Sequence, residues 1–336
     1  MLALFRNLAA YRGCPIAIDL GATRLRMAQV ERSPDGELTL VAAAACDVPG
    51  DAFDSPRNLH AFLPKAIRQL LSAGGFKGRN AVVALPAPLV YIRHFRLPRL
   101  DDEQTRQQLT TEIAGKLPVD PSQCVLRHVI AGEVYGDGGG AQNEVILFAA
   151  AQKGVQALLD SVSAAKLDVS GLQAGPRGVV DCFRHVYRRK SDADEIDLLV
   201  DLGTTTTRAI VASEGAIRFV RSVPISANSL KDETAALKLI DELELCRRYY
   251  ESTFPAKPVS RLIFIGGGAR EAKRCQAIAQ ALALPAQVGD PFVRFNGAGP
   301  YEAAGIDRRV ANPEWSVAIG LSLGPVSNAS SVRVAA

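Results

Sequence analysis

Ile18-Asp19-Leu20-Gly21-Ala22-Thr23, near the start of the chain, returns as Val200-Asp201-Leu202-Gly203-Thr204-Thr205 in its second half. The echo extends to Arg26 and Arg208, which stand at the same offset from Asp19 and Asp201. Each copy closes an apolar run, Cys14 to Leu20 and Ile196 to Leu202, turns at Asp-x-Gly and continues as a second strand-type run. That pattern predicts a β-hairpin with a glycine in its tip. Such a tip presents successive backbone N–H groups to an anion, and the Asp before it can hold a hydrated Mg²⁺. One Asp-x-Gly-x-Thr is equally a plain turn, because Asp and Gly occupy turns for backbone reasons. Two copies, each ending a buried-type strand, point to a duplicated unit whose tips clamp a nucleotide triphosphate between them.

Composition sets the frame for that unit. A chain of 336 residues with 48% apolar content is long enough for two lobes with separate cores. The 39 basic and 35 acidic residues leave a net charge of +4, and the arginines are scattered, which argues against nucleic acid as a partner. Cys14, Cys46, Cys124, Cys182, Cys246 and Cys275 lie far apart with no Cys-x-x-Cys, and His60, His94, His128 and His185 lack metal-ligand spacing. They are expected as packed side chains rather than a disulfide framework, zinc site or nucleophile. No apolar stretch reaches the roughly 18 residues of a membrane span, so no transmembrane segment is expected. Met1 to Leu8 carries its charge after its apolar residues and does not read as a secretory signal; a frayed terminus is favoured over an amphipathic anchor.

Periodicity orders the rest. Leu38 to Cys46 continues the strand set, Asn58 to Ala73 has apolar residues at helical spacing, and Gly74-Gly75 stops that helix. Asn80 to Leu85 reads as a buried strand before Pro86, and Leu89 to Arg96 as another. A small module then begins: a helix over Asp101 to Lys116, strands over Cys124 to Glu133 and Asn143 to Ala151 around a loop tip at Gly136 to Gly140, and a helix over Val155 to Ala165. A strand from Val169 and a helix over Pro176 to Arg188 lead to the charged stretch Arg188 to Glu195, the natural lobe boundary. In the second half, the hairpin Ile196 to Pro224 turns at Glu214-Gly215, and Asn228 to Phe254 is helical. Arg261 to Ile265 is a strand that delivers Gly266-Gly267-Gly268, with a helix over Arg270 to Leu282 after it. The division is a first lobe over 1–195, with its main part at 12–91 and 166–195 and an insertion at 92–165, and a second lobe over 196–336 with a small helical part at about 228–259. Gly266 to Gly268 suits a flexible turn or a close backbone approach to a flat ligand group.

Two Asp-x-Gly hairpins followed by a glycine loop resemble the actin, Hsp70 and sugar-kinase superfamily, in which two related lobes hold MgATP between them. Several collinear segments make the chain most similar to the PilM family of type IV pilus assembly proteins. They are the Met-Leu-x-Leu-Phe start, Val82 to Pro86, Glu112 with Leu117-Pro118, Tyr249-Tyr250-Glu251, Pro258 to Leu262 running into Gly266 to Ala269, Leu284-Pro285, Asp290-Pro291-Phe292 and Val317 to Leu321. An insertion inside the first lobe also resembles FtsA, the cell-division member. The resemblance implies an α/β, actin-like (ribonuclease H-like) duplicated two-lobe fold with an FtsA/PilM-type inserted subdomain. It implies a first phosphate loop at Asp19, Gly21, Ala22 and Thr23, and a second at Asp201, Gly203, Thr204 and Thr205. An adenosine loop at Gly266, Gly267 and Gly268, and Glu242 beside the ribose or base, are implied as well. Asp19 and Asp201 would hold Mg²⁺ through water. Glu244 and Leu245 depart from the family, which carries a basic residue there.

The implied role is that of a cytoplasmic ATP-binding assembly protein. It would sit at the inner membrane through partners: the N-terminal cytoplasmic peptide of a PilN-like membrane protein, and other pilus assembly proteins. The implied peptide groove draws on Leu85 to Val90 and Leu109 to Leu117. Hydrolysis would be weak at most, and no catalytic residue is assigned. Two alternatives use the same fold. A small-molecule kinase or ATPase needs a carboxylate base near the γ-phosphate, for which Asp181 is the nearest candidate. An FtsA-like filament protein needs a membrane helix, which the tail Ser327 to Ala336 fits poorly.

Overall fold

The computed structural model describes residues 14–135, 140–186, 195–297 and 299–324. The N-terminal segment 1–8, the loop tip at 136–139, the boundary stretch 188–194 and the tail 327–336 lie outside the described residues.

The first repeat forms β1 (Ile16–Leu20) and β2 (Arg24–Arg32), an antiparallel hairpin extended by β3 (Leu38–Asp47). The helix α1 (Pro56–Gly74) starts at Ser55, whose hydroxyl accepts from the Asn58 amide at 3.2 Å, and stops at Gly75 with φ of 71°. It returns the chain to β4 (Asn80–Leu85), parallel to β1, and β8 (Asp168–Ala174) later joins parallel to β4. The second repeat builds β9 (Asp197–Leu202), β10 (Thr207–Ser213), β11 (Ala216–Val223), β12 (Arg261–Ile265) and β13 (Ala286–Val288). The two sheets have the same order, β3-β2-β1-β4-β8 and β11-β10-β9-β12-β13, with the same pattern of antiparallel and parallel pairs. The duplication read in the sequence is thus a duplication of topology.

Strand alternation decides which side chains meet the other lobe. Ile16, Ile18 and Leu20 of β1 pack outward in one core, and Leu198, Val200 and Leu202 of β9 pack outward in another. Ala17 and Leu199, of opposite parity, enter a third core lying between the sheets. Asp19 and Asp201 share the parity of Ala17 and Leu199 and so occupy the same inner faces. Two helices fill the space between the sheets: α4 (Gly175–Val186) and α7 (Ser316–Leu323). They cross closely, because a Cβ on Gly320 would fall on the Gly178 carbonyl oxygen.

The inserted module is an antiparallel sheet, ordered β5-β7-β6, of β5 (Tyr91–Pro98), β6 (Cys124–Tyr135) and β7 (Ala141–Ala151), with α2 (Asp102–Glu112) packed through Leu109 and Ile113. The helix expected to reach Lys116 ends at Glu112: the Ile113 amide caps it, and Gly115 takes a φ of 71° that reverses the chain.

Two boundaries differ from the sequence expectation. The helix α3 (Gln152–Ala164), expected within the insertion, packs through Leu158 and Val162 into the core of α1 and β1, with Ser161 Oγ 3.2 Å from His60 Nδ1. The helix α7, expected in the second lobe, packs on α4 and the first sheet. Its Ser322 hydroxyl donates to the Pro15 carbonyl at 2.8 Å and accepts from the Val30 amide at 3.0 Å. The reason is burial: α7 is apolar nearly all round, and only the layer between the sheets covers every side of it. The helical stretch 228–254 is also interrupted. A turn over Ser229–Lys231 precedes α5 (Glu233–Thr253), and the Asp232 side chain between them caps α5 by accepting from the Thr234 amide at 3.0 Å. The last element of the second sheet's outer layer is α6 (Ala272–Leu282).

A polar cluster joins the inserted sheet to the second lobe. Glu144 on β7 is almost fully buried and receives the Tyr249 hydroxyl of α5 at 2.7 Å, with His94 Nδ1 at 3.2 Å and Arg96 Nε at 3.3 Å. Burial alone pushes the Glu144 carboxyl up, but the hydrogen bonds from His94 and Tyr249 outweigh it and hold it below the ordinary range. His94 Nε2 reaches the Val220 carbonyl at 2.9 Å and Arg218 donates to the Ala131 carbonyl at 2.7 Å, so the insertion spans both lobes.

Candidate functional site

Both hairpins close in the same way. The Gly21 amide donates to the Arg24 carbonyl at 3.0 Å, and the Gly203 amide to the Thr206 carbonyl at 3.1 Å. In each tip a Cβ on the glycine would crowd that carbonyl, at 3.1 Å for Gly21 and 2.6 Å for Gly203, which is why glycine stands at both. Among the described residues, the amides of Ala22, Thr23, Thr204 and Thr205 donate to no protein acceptor. The two tips face each other, with Thr23 Oγ1 and Thr204 Oγ1 3.4 Å apart. They line one cleft, together with Asp19, Asp201, Gly266 and Gly267, Leu85 to Pro88 after β4, Gly175 at the start of α4, and Pro313, Glu314, Ser316 and Val317 before and within α7.

Register places an arginine across from each aspartate. Asp19 pairs with Arg26 across the first hairpin, and Asp201 with Arg208 across the second. Side chains directly opposite on neighbouring strands share a face, so both arginines also enter the cleft. Arg208 grips Asp201 Oδ2 with Nη2 at 2.6 Å and Nε at 3.0 Å. Its Nη1 passes Gly175, where a Cβ would stand 2.7 Å away. Asp201 Oδ1 lies against Gly266, at a position that any Cβ there would overlap. The guanidinium of Arg26 lies 6.0 Å from the ring centroid of Trp315. Burial pushes the Asp19 carboxyl up to about 6 against the pull of Arg26 and Arg208, and Asp201 adds to the rise. The Arg26 guanidinium is pushed down by burial and supported by Asp19 and Glu314. Arg26 and Arg208 are the participants to which sequence reasoning gave no role. Their signal was present in the repeated offset from each Asp.

The remaining candidates divide. Asp19, Gly21, Ala22, Thr23, Asp201, Gly203, Thr204, Thr205, Gly266 and Gly267 all line the cleft. Gly268 does not, because its Cα faces Leu202 and Ala227, where a Cβ would lie 2.9 and 2.5 Å from their Cβ atoms. Glu242 is also outside the lining and is engaged by Arg221 Nη2 at 2.8 Å on the face of α5 that covers β11. Asp181, the candidate base of the kinase alternative, is fully buried on α4, where Arg177 Nε holds it at 2.9 Å and a second guanidinium nitrogen also contacts it. Leu109 and Ile113, expected in a peptide groove, are core residues of the inserted module.

The two tips suit an anionic ligand: four free amides and three arginines, Arg24, Arg26 and Arg208, line the cleft. The enclosed cavity of about 120 Å³ is well below the roughly 300–1,000 Å³ of a typical ligand pocket. On Asp201, Arg208 occupies Oδ2 with two hydrogen bonds, and Oδ1 is the oxygen left to accept from a hydrated Mg²⁺. Among the described residues, no group of three or more His, Cys, Asp or Glu side chains could hold a metal. No described helix is long and apolar enough to cross a membrane.

Comparison with solved structures agrees with the topology. The chain is similar to a protein in the PilM-PilN type IV pilus biogenesis complex, with a TM-score of 0.75 and 19% identity over 92% of this chain and 97% of that one. The cytoplasmic domain of EpsL, an inner-membrane component of the Vibrio cholerae type II secretion system, matches with a TM-score of 0.49 and 12% identity over 93% and 96% of the two chains. A Bacteroides thetaiotaomicron protein of unknown function with an actin-like ATPase fold matches with a TM-score of 0.49 and 11% identity over 84% and 92%. No protein-family model and no curated protein sequence matches the chain. The chain has the actin-like fold, duplicated and bearing an inserted subdomain in its first lobe.

Proposed function

We propose that this chain is an actin-like, nucleotide-binding assembly protein of a type IV pilus or related secretion system, working in the cytoplasm at the inner membrane through its partners. The observation that carries the proposal is the pair of Asp-x-Gly tips meeting across the cleft, each with unpaired amides and a cation, in an architecture similar to that of a protein from a PilM-PilN complex. ATP is the proposed nucleotide. A nucleotide bridging two lobes biases their separation by its different affinities for the open and closed arrangements. The proposed partner is the N-terminal cytoplasmic peptide of a PilN-like membrane protein, docking beside the inserted module, with other pilus assembly proteins in the same complex. A binding role is favoured over a kinase because Asp181 is buried against Arg177 and does not line the cleft.

The test is fluorescence anisotropy of a labelled peptide copying the N-terminal segment of a PilN-like protein from the same genome, titrated with this protein with and without ATP. Saturable binding whose affinity changes on adding ATP supports the proposal. Absence of peptide binding in both conditions overturns the assembly reading.

A further inference from the structure

We propose that the cluster around Glu144 is a latch that holds the second lobe closed over the cleft, and that its release is the step by which the cleft opens. The latch is read from contacts between the chain's own residues; only its effect on nucleotide exchange rests on the nucleotide reading above. Hydrogen bonds cross here from the inserted sheet to the second lobe. The Tyr249 hydroxyl of α5 donates to Glu144 Oε1 at 2.7 Å, and Arg96 Nη2 donates to the Thr253 hydroxyl at 3.4 Å. From β11, Arg218 Nη1 donates to the Ala131 carbonyl at 2.7 Å, and the Val220 carbonyl stands 2.9 Å from His94 Nε2. The His94 ring also faces Phe219 of β11, with centroids 4.8 Å apart. These contacts border the apolar seat that Ala131 and Ile146 take in the core between the sheets.

Two features suit the cluster to opening. Hydrogen bonds are short-ranged and directional, so a displacement of about 1 Å ends them together. Glu144 is 1% exposed, and a buried carboxylate gives up hydration that its partners repay only in part. On release it regains water, as do Arg96 and Tyr249, which are already partly exposed. The closed arrangement is thereby specified without being strongly favoured. The α4 and α7 layer, by contrast, is an apolar and close crossing that small steps do not part, which makes it the pivot. Strand register ties the latch to the cleft. On β10, Arg208 pairs with Ser222 of β11, and Ile210, two residues on, pairs with Val220. The strand that carries Arg208 into the cleft is therefore bonded to the one whose carbonyl meets His94, and the second tip cannot draw back without pulling on the latch.

The single tryptophan provides the readout: Trp315 is buried in the core between the sheets, and its neighbours Glu314 and Ser316 line the cleft. Acrylamide quenching of Trp315 fluorescence and small-angle scattering would be measured on the full chain without ligand. Tyr249→Phe keeps the ring against Phe219 and removes the hydroxyl. Losing a hydrogen bond to a charged group shifts the closed-to-open ratio by about tenfold, so quenching should rise about twofold or more. The radius of gyration should grow with far-UV circular dichroism unchanged. Glu144→Gln, which keeps an oxygen for the Tyr249 hydroxyl, should fall between Tyr249→Phe and the wild type. Release of a fluorescent ATP analogue should be about tenfold faster from Tyr249→Phe, following the open population. Quenching and radius that stay at wild-type values in both variants overturn the proposal. So does a rise accompanied by lost helix content, which reports unfolding, or an opened variant that releases the analogue at the wild-type rate. If the wild type binds no analogue, the nucleotide reading falls, and quenching and scattering still decide the latch. Glu144→Gln carries the test should Tyr249→Phe fail to fold.

Discussion

Replacing Asp19 by Asn should stabilise the protein, and only above a definite pH. The Asp19 carboxyl is raised from 3.8 to about 6 by burial at the cleft floor. A carboxyl raised in this way favours the fold while protonated, below its unfolded value, and that contribution is lost as the pH rises through about 6. Above that pH the native state carries a charge it holds poorly. The interval from 3.8 to about 6 corresponds to about 3 kcal/mol in full. The side chain retains partial contact with cleft water, and screening leaves about 1–2 kcal/mol. Asn keeps the shape and removes the charge. It also removes a counter-charge from Arg26, but that attraction already opposes the rise in Asp19, and burial still outweighs it. Thermal unfolding at pH 7.5 should place Asp19→Asn above the wild type by about 2–4 °C per kcal/mol, with the gap closing near pH 4. A variant no more stable at pH 7.5, or one whose gain persists unchanged at pH 4, would refute the argument. A stabilising change at a residue lining the cleft is the signature expected where function has been favoured over stability.

Two further predictions concern how the lobes are held. Glu144→Ala should cost about 1–3 kcal/mol in urea unfolding, because it removes the acceptor of His94, Arg96 and the Tyr249 hydroxyl, of which the half-exposed Arg96 can turn to water. Since the Glu144 carboxyl lies below 4.5 in the fold, its contribution is present above that pH and fades as the pH falls further; the wild type's advantage over Glu144→Gln should shrink below about pH 4. Gly320→Ala should lower stability by about 3 kcal/mol or more, as the added methyl must push α7 away from the Gly178 carbonyl of α4. Comparable melting of Gly320→Ala and wild type would contradict the close crossing. Limited proteolysis of the variant should cut first in the segment joining the second lobe to α7.

Local chemistry made most elements legible. The apolar runs Cys14 to Leu20 and Ile196 to Leu202 read as strands by themselves, and the packing then shows which faces carry Asp19 and Asp201. Ser55 and Gly75 mark the ends of α1 in the same local way. The repeated Asp-x-Gly offset also contained the Arg26 and Arg208 pairing, because in an antiparallel hairpin the tip length sets which residues lie opposite.

What the sequence alone determined, then, is whatever depends on neighbours along the chain or across a tight turn: two equivalent hairpins, their tips, and the equal offset of an arginine from each aspartate. Tertiary structure decided the rest. That α3 joins α1, that α7 crosses back to the first sheet, and that Glu242 meets Arg221 rather than the cleft are outcomes of apolar faces choosing among several possible covers. Such choices rest on burial summed over residues distant in sequence, and burial is non-directional, so a periodic stripe announces that it will be covered without naming its cover. The close approach of Thr23 to Thr204, 181 positions apart, follows from that packing and sets the width of the cleft.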